Sequence, residues 1–326
     1  MRRLSVVLAA AIVSCAPFTF RDLTSGRADP LLSPDGAWLL FVERREGNDE
    51  VVVSRPDGSE RRNLSNHTAA DRMATWSADG RAVYFCSRRT GDWDIYVVGL
   101  DGAGLRNLTS NPASDSHPRP SPDGARLLFT RDADVMIAGP DGSGAAAVAR
   151  GYGAIWSPDG AWICYTSEDR LRVMKVDGGE QRDLAEGWPL CWTPDGAAIF
   201  FSRGGFVCRV ERGGGGNRAV LKARVIDPRE SRFAWSRGRL LLVTNRPQGR
   251  GQSGPGGPVI LDAAGELVAD LRESASIRWY DEAASWSPDG ERVIYAGHGN
   301  GGWGGVFSAK AAGREEPKLV IPDSTP

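Results

Sequence analysis

The chain offers few side chains with the spacing that catalysis or metal binding requires. Its three histidines, His67, His117 and His298, lie far apart and form neither an HxH nor an HExxH pattern. No GxSxG nucleophile motif occurs. The glycine run at 213–216 lies between predicted strands, which indicates a turn and not a phosphate loop. The sequence therefore predicts no catalytic residue, no cofactor and no metal site.

Four of the five cysteines lie in short apolar runs, as in YFCS and WICY, that predict β-strands. None has the CxxC spacing of a zinc or redox site. Buried free thiols acting as small hydrophobic side chains are the favoured interpretation, and a disulfide among them stays an open alternative. The four residues are Cys86, Cys164, Cys191 and Cys208.

The fifth cysteine, Cys15, directly follows an apolar run at 4–13, which is preceded by two arginines. Ten apolar residues are too few to span a membrane as a helix, so the run predicts the hydrophobic part of a signal peptide. Residues 12–15 (IVSC) resemble a bacterial lipobox. The resemblance implies that Cys15 is lipidated, and Ala16, where an Asp would favour inner-membrane retention, implies the outer membrane. Ordinary cleavage near Ser14, leaving a free thiol, is the alternative.

A turn phrase of the type Ser-Pro-Asp-Gly occurs seven times, at spacings of 44, 44, 36, 36, 43 and 51 residues. Such periods are typical of propellers and solenoids. Pro presets φ for a type I turn, and Gly is favoured at its last position. The copies stand at 33–36, 77–80, 121–124, 157–160, 193–196, 236–238 (shortened) and 287–290.

Short strands flank each turn, and a second glycine turn with a further strand completes each unit. Each unit is therefore predicted to be a four-stranded antiparallel meander that cannot bury both of its faces alone. Seven such units predict an all-β, seven-bladed β-propeller. We expect a signal peptide at 1–14, a lipidated tether at 15–17 and the propeller at 18–322. Residues 20–25 resemble a fourth strand and are predicted to pair with the last blade, with residues 318–321 competing or adding beside them.

Three phrases resemble the repeat of the TolB-like, WD40-like propeller family: WSADG at 76–80, GDWDIY at 91–96 and LT at 108–109. The resemblance covers residues 18–322 and implies the propeller fold. These motifs are specific to a fold and not to a function. The net charge of −1, from 40 basic and 41 acidic residues, offers no basic excess for nucleic acid or an anionic membrane surface. Membrane contact is thus expected through the lipid anchor only.

The loops opposite the Ser-Pro-Asp-Gly turns are rich in charged and aromatic residues, a composition typical of protein-interaction surfaces. The sequence therefore predicts a non-catalytic lipoprotein, facing the periplasm, that binds an envelope protein or a glycan through this loop face. An ordinary solvated face is the plain alternative for any single residue, and a metal-dependent carbohydrate-active lyase using the central channel is the alternative function. The predicted partner-binding residues are Arg88, Asp92, Trp93, Arg131, Trp188, Trp279, Tyr280 and Trp303.

Overall fold

The computed structural model describes residues 14–15, 27–45, 47–204, 206–221, 233–247, 253–262, 265–271, 277–278, 284–287, 289–299, 304–311 and 318–322. Regular structure in these ranges consists of β-strands, and no α-helix occurs among them. The described residues also contain no helix with the length and apolarity needed to cross a membrane. Residues 1–13 of the predicted signal peptide, which was predicted at 1–14, and the predicted pairing segment at 20–25 lie outside the described residues.

Most of the chain forms antiparallel sheets of four consecutive strands. We number the sheets along the chain, and within each sheet we letter the strands a to d in chain order. Sheet 1 contains β2 (Arg27–Leu32), β3 (Leu39–Arg45), β4 (Asn48–Ser54) and β5 (Arg62–Asn63). Sheet 2 contains β6 (Asp71–Trp76), β7 (Ala82–Ser87), β8 (Asp94–Gly99) and β9 (Arg106–Asn107). Sheet 3 contains β10 (Asp115–Pro120), β11 (Leu127–Arg131), β12 (Asp134–Ala138) and β13 (Ala146–Arg150). Sheet 4 contains β14 (Tyr152–Trp156), β15 (Trp162–Ser167), β16 (Arg170–Lys175) and β17 (Gln181–Glu186).

The remaining strands complete seven sheets. Sheet 5 contains β18 (Trp188–Trp192), β19 (Ala198–Arg203), β20 (Phe206–Glu211) and β21 (Arg218–Leu221). Sheet 6 contains β22 (Phe233–Ser236), β23 (Arg239–Pro247), β24 (Ser253–Asp262), β25 (Leu267–Asp270) and, beside β22, the short β1 (Ser14–Cys15). Sheet 7 contains a divided first strand, β26 (Ile277–Arg278) and β27 (Ala284–Trp286), followed by β28 (Arg292–Gly299), β29 (Gly304–Lys310) and β30 (Lys318–Pro322). The predicted all-β architecture of four-stranded antiparallel blades is confirmed.

The apolar core is divided into clusters, each of which lies between two neighbouring sheets. One cluster joins Leu40 and Val53 of sheet 1 to Trp76 and Phe85 of sheet 2. Corresponding clusters join sheets 2 and 3, 3 and 4, 4 and 5, 5 and 6, and 6 and 7. Because both faces of each sheet are apolar, every sheet buries one face against each neighbour.

Sheet 1 also packs against sheet 7, so the row of sheets returns to its start. Leu39, Phe41 and Val52 of sheet 1 form a buried cluster with Ile294 of sheet 7. Strands β2 and β27 are likewise in contact. The outermost place in sheet 7, next to β29, is taken by β30.

Six of the seven turn phrases form the a–b turn of their sheet through the same small network of hydrogen bonds, whereas the shortened phrase at 236–238 lacks the Asp and joins β22 to β23 by a two-residue turn. In sheet 3, the Gly124 amide donates to the Ser121 carbonyl oxygen (2.9 Å), and the Ser121 hydroxyl donates to Asp123 Oδ1 (2.5 Å). The Ala125 amide donates to the same carboxylate oxygen (3.0 Å), and the Arg126 amide donates to Ser121 Oγ (2.9 Å). Ser121 thus accepts hydrogen bonds from two backbone amides, those of Gly124 and Arg126. Asp123 accepts from the amide of Ala125, which leads into the next strand.

The tryptophan that precedes several of these turns links neighbouring sheets. Trp76 Nε1 donates to the Leu31 carbonyl oxygen of sheet 1 (3.0 Å), and Trp156 Nε1 donates to the Arg119 carbonyl oxygen of sheet 3 (2.9 Å). Each acceptor lies on the a strand of the preceding sheet. The Trp ring therefore fills the space between two sheets, and the hydrogen bond from its Nε1 fixes the position of one sheet relative to the other.

The turn carboxylates should make the stability of the fold sensitive to acid. The Ser121 hydroxyl and then the Ala125 amide hold the pKa of Asp123 below its ordinary value. The hydroxyls of the corresponding Ser or Thr do the same for the pKa values of four further turn carboxylates, Asp35, Asp79, Asp195 and Asp289. A lowered folded-state pKa means that these turns stabilise the fold above the unfolded pKa of about 3.9, and that this contribution is lost as pH falls through the folded value.

We therefore expect Asp123→Asn to lower the urea midpoint at neutral pH, and the difference from the native protein to shrink as the pH falls from neutral toward about 2, because the Asp123 carboxylate becomes protonated. Urea unfolding followed by tryptophan fluorescence across this pH range measures both midpoints. Asp92→Asn, on an exposed hairpin, is the matched control and should leave the midpoint unchanged. A difference for Asp123→Asn that persists undiminished at about pH 2 would contradict the charge-based explanation.

Candidate functional site

The ring has two ends with different chemistry. One end carries the a–b and c–d turns, and the other carries the b–c hairpins and the connections between successive sheets. We call the second end the b–c face. The predicted residues that the structure describes in full, Arg88, Asp92, Trp93, Arg131 and Trp188, all lie at the b–c face.

The b–c hairpin of sheet 2 brings three of the predicted residues together. Arg88 and Asp92 are exposed, and Trp93 is half-buried against the core between sheets 2 and 3. The Arg88 guanidinium carbon lies 5.5 Å from the centre of the Trp93 ring, within the range of a cation–π contact. A turn in which the Gly91 amide donates to the Arg88 carbonyl oxygen (2.9 Å) fixes this hairpin. It presents an aromatic ring, a cation and an anion on one small surface.

The Arg131 side chain forms an ion pair within its own sheet, sheet 3. Its Nε lies 2.9 Å from Asp115 Oδ1 and its Nη2 lies 3.1 Å from Asp115 Oδ2, which is a bidentate ion pair. The Asp115 side chain is fully buried, whereas 27% of the Arg131 side chain is exposed. Asn111 Nδ2 also donates to Asp115 Oδ2 (2.6 Å). Arg131 therefore has a structural partner, and its contact with another molecule stays a prediction.

Arg131→Met should destabilise the fold by about 3 kcal/mol, because the Asp115 carboxylate would stay buried without its guanidinium. Chemical denaturation at neutral pH measures this loss. Combining Arg131→Met with Asp115→Asn should restore part of it, since the double variant buries no charge. Arg88→Met, on the exposed hairpin of sheet 2, is the control and should change the free energy of unfolding by less than about 0.5 kcal/mol. Equal losses in both single variants would contradict this assignment.

A second buried carboxylate, Asp71, occupies the matching place in sheet 2 and was missed by the sequence analysis. Its Oδ1 lies 3.2 Å from Arg89 Nη2, and its Oδ2 has no hydrogen-bond partner. Burial raises the pKa of Asp71 above its ordinary value, against the opposing effects of Ser87 and Arg89. Both Asp71 and Asp115 precede the serine of their turn by six residues, which is the signal that aligning the repeats would have revealed.

One further ion pair joins sheets 1 and 2 at the b–c face, and two others lie within the unit of sheet 1. Arg72 of sheet 2 is paired with Asp49 of sheet 1. Glu43, which is fully buried, accepts from Arg45 Nε (2.6 Å) and is also paired with Arg61. Sheets 1 to 3 thus use most of the buried charge on this face for internal contacts.

Sheets 4 and 5 have glycine at the place of the buried carboxylates. Gly151 and Gly187 precede the serine or threonine of their turns by six residues, with φ of 153° and 137°. A β-carbon at Gly187 would lie 2.3 Å from the Ser202 carbonyl oxygen, and one at Gly151 would lie 2.4 Å from that of Thr166. The following residues are Tyr152, which is exposed, and Trp188, which is half-buried. These two aromatic side chains therefore begin the a strands of sheets 4 and 5.

Gly187→Ala should lower the free energy of unfolding by about 3 kcal/mol, because the added β-carbon meets backbone and the φ angle is unfavourable for alanine. Thermal and urea unfolding of the purified variant measure the loss. Gly213→Ala is the matched control, since a β-carbon there has no neighbour within 4 Å and its φ is not positive. A Gly187→Ala variant as stable as this control would show that β18 can shift away from Ser202.

Of the remaining predicted residues, three lie outside the described part of the chain, and for Cys15 only the backbone pairing is described. Trp279, Tyr280 and Trp303 lie outside the described residues. Cys15 lies in β1, where its backbone pairs with Phe233 of β22. Its lipidation stays a prediction, as does the partner-binding role of all eight residues.

The four internal cysteines are buried and none of them forms a disulfide, so the alternative of a disulfide among them is wrong. Burial raises the pKa of the Cys86 thiol far above its ordinary value, and burial also raises that of Cys208. Such thiols are poor nucleophiles. Within the described ranges, no three His, Cys, Asp or Glu side chains are grouped so that they could hold a metal ion.

Comparison with family models identifies the family to which the repeats belong. Residues 19–186, which are just over half of the chain, match the model of the TolB beta propeller domain. The chain belongs to the TolB β-propeller domain family. No curated protein sequence matches it significantly.

Solved structures share the fold at low sequence identity. An oligogalacturonate lyase from Vibrio parahaemolyticus is 13% identical with a TM-score of 0.60, and the match covers 88% of each chain. A puromycin-hydrolyzing peptidase from Mycobacterium tuberculosis is 17% identical with a TM-score of 0.70, over 98% of this chain and 55% of the peptidase. TolB from Acinetobacter baumannii is 19% identical with a TM-score of 0.51, over 92% of this chain and 64% of that one. Both enzymes and TolB thus share this architecture, and the likeness describes the fold alone.

Proposed function

We propose that this member of the TolB β-propeller family is a non-catalytic binding scaffold of the bacterial envelope. In this proposal the seven sheets are the blades of one closed ring, Cys15 carries a lipid anchor to the outer membrane, and the b–c face receives a protein or glycan partner. One observation carries the proposal: the b–c hairpin of sheet 2 presents Arg88, Asp92 and Trp93 on one exposed surface. Arg and Trp are the residue types that most often dominate binding energy at interfaces.

The placement of charge on the b–c face supports the same proposal. Ion pairs such as Arg131–Asp115 and Arg89–Asp71 neutralise the buried carboxylates of sheets 2 and 3 and hold the strands below the hairpin. Arg88 and Asp92 remain exposed above them. A rigid support with exposed side chains limits the conformational entropy that binding must overcome.

The envelope location is supported by the lipobox-like residues that end at Cys15 and by membership of the TolB family. A metal-dependent lyase acting in the central channel is the alternative function, and the lyase among the structural neighbours shares the same fold. The two functions differ in a measurable way, because the lyase requires a bound metal ion and the scaffold does not.

A photo-crosslinking residue at position 92 tests the proposal. In intact envelopes it should form one discrete adduct, whereas the same residue at position 105, in the exposed c–d turn of sheet 2, should not. Adding Trp93→Ala or Arg88→Ala should reduce the adduct at least about tenfold, since each removes about 1.4 kcal/mol or more of binding energy at a hot spot. An adduct at position 92 that both changes leave unaltered would contradict a site at this hairpin.

Metal content is the second measurement. Elemental analysis of the purified protein should show no stoichiometric manganese, calcium or zinc if the protein is a scaffold. One bound metal ion per chain that is lost in His117→Ala, where the alanine variant remains folded, would favour the lyase instead.

A further inference from the structure

Two aromatic side chains at the start of the a strands of sheets 4 and 5, Tyr152 exposed and Trp188 half-buried, form a second distinct surface on the b–c face. Tyr152 is 47% exposed, the largest exposure among the described aromatic side chains. The Trp188 ring lies over the backbone of the neighbouring sheet: a β-carbon at Gly153 would be 3.5 Å from Trp188 Cε3. Gly153 follows Tyr152 directly, so the two aromatic residues are neighbours across the boundary between sheets 4 and 5.

The repeat explains why this surface is open in sheets 4 and 5. The matching positions of sheets 2 and 3 are Arg72 and Ser116, each preceded by a buried aspartate. Arg72 is used in the ion pair with Asp49. In sheets 4 and 5 the preceding residues are Gly151 and Gly187, which have no side chain that could cover the rings. The change from aspartate to glycine therefore coincides with a change at the next position of the repeat, from Arg72 and Ser116 to the aromatic residues Tyr152 and Trp188.

Exposed side chains of both charges lie at this part of the b–c face, and some of them are ion-paired: Arg170 lies 3.7 Å from Asp183, and Glu168 lies 3.9 Å from Arg172. Three arginines and three acidic residues are exposed at this part of the b–c face. They belong to the d strand that leads to Tyr152, to the residues before Gly187, and to the b–c hairpins of sheets 4 and 5. This balance gives no attraction for a partner of either charge, while the groups supply both hydrogen-bond donors and acceptors. The six residues are Arg150, Arg170, Arg203, Glu168, Asp169 and Glu186.

The apolar area is too small for a protein partner on its own. An aromatic side chain buries about 150–250 Å² when fully covered, so the two half-covered rings offer on the order of 200 Å². A stable protein interface needs about 800 Å² from each partner. A sugar ring matches the smaller area. Its C–H groups carry slight positive charge and stack on the negative face of an aromatic ring, and its hydroxyl groups both donate and accept hydrogen bonds.

We propose that Tyr152 and Trp188 form a platform that binds an uncharged oligosaccharide, with the surrounding arginine and acidic side chains holding its hydroxyl groups. Because the two rings come from neighbouring sheets, we expect them to contact adjacent sugar units of one chain. This inference rests on the proposed function, in which the b–c face binds without catalysis, and it names a ligand class for one part of that face.

Titration calorimetry with three neutral hexasaccharides, of N-acetylglucosamine and of β- and α-linked glucose, tests the platform. At least one should bind with a Kd of about 0.1–1 mM, accompanied by a change in tryptophan fluorescence. Tyr152→Ala should weaken binding at least about tenfold and Tyr152→Phe should retain it, because stacking needs the ring and not the hydroxyl. Leu267→Ala, an exposed apolar position on the outermost strand of sheet 6, should leave the affinity unchanged.

Trp188→Leu tests the second ring, with the thermal midpoint measured beside the affinity because Trp188 also packs on Gly153. A tenfold weaker affinity at an unchanged midpoint supports the platform. The proposal is overturned if none of the three neutral sugars binds at about 5 mM, if Tyr152→Ala binds as tightly as the native protein, or if the charged hexagalacturonate binds more tightly than every neutral one.

The two proposals fail in different ways. An adduct from position 92 combined with no sugar binding would overturn the platform and leave the scaffold standing. Neutral sugar that binds and is also cleaved, seen as shorter products by chromatography, would overturn the non-catalytic scaffold while the platform remains. Loss of the position-92 adduct in Tyr152→Ala would show one shared site for a larger partner and would contradict a separate sugar platform.

Discussion

The burial of each sheet between its two neighbours is the constraint on which the structure depends. A single four-stranded sheet with apolar residues such as Leu40 and Phe41 on opposite faces cannot hide both faces by itself. At about 25 cal/mol per Å² of buried apolar surface, the clusters between sheets are the main favourable contribution to folding. The contact of sheet 1 with sheet 7 matters for the same reason, because without it two apolar faces would be exposed to water.

This constraint explains which features could be predicted from the sequence. Ser121, Asp123 and Gly124 have local roles in a turn, so their spacing predicts the turn and its periodic return predicts the sheets. The tryptophan before the turn also follows from the pattern, since its ring lies where two sheets meet. The hydrogen bond from Trp156 to the Arg119 carbonyl oxygen could not be foreseen, because it joins residues of different repeats whose relative height only the packed structure defines.

The b–c face was harder to predict because its residues interact across strands and across sheets. The sequence places Arg131 in a loop, and only the antiparallel pairing of β10 with β11 shows that it faces Asp115. Trp188 was selected for its residue type, but Tyr152 was not, although both occupy the same position of the repeat. Aligning the repeats on the serine of the turn would have shown Asp71, Asp115, Gly151 and Gly187 in one column, and this column separates the two halves of the face.

A division of the b–c face follows from that column. In sheets 2 and 3, buried carboxylates are expensive unless they are paired, so arginines are drawn inward and form ion pairs with Asp71 and Asp115. In sheets 4 and 5, glycine removes the buried carboxylate and with it the need for an inward arginine. Arg170 and Arg203 are then exposed beside the aromatic rings. One substitution in the repeat, aspartate to glycine, thus replaces the buried carboxylate–arginine pairs of sheets 2 and 3 by a surface in sheets 4 and 5 where aromatic side chains lie beside exposed charges, some of them paired with each other as Arg170 is with Asp183.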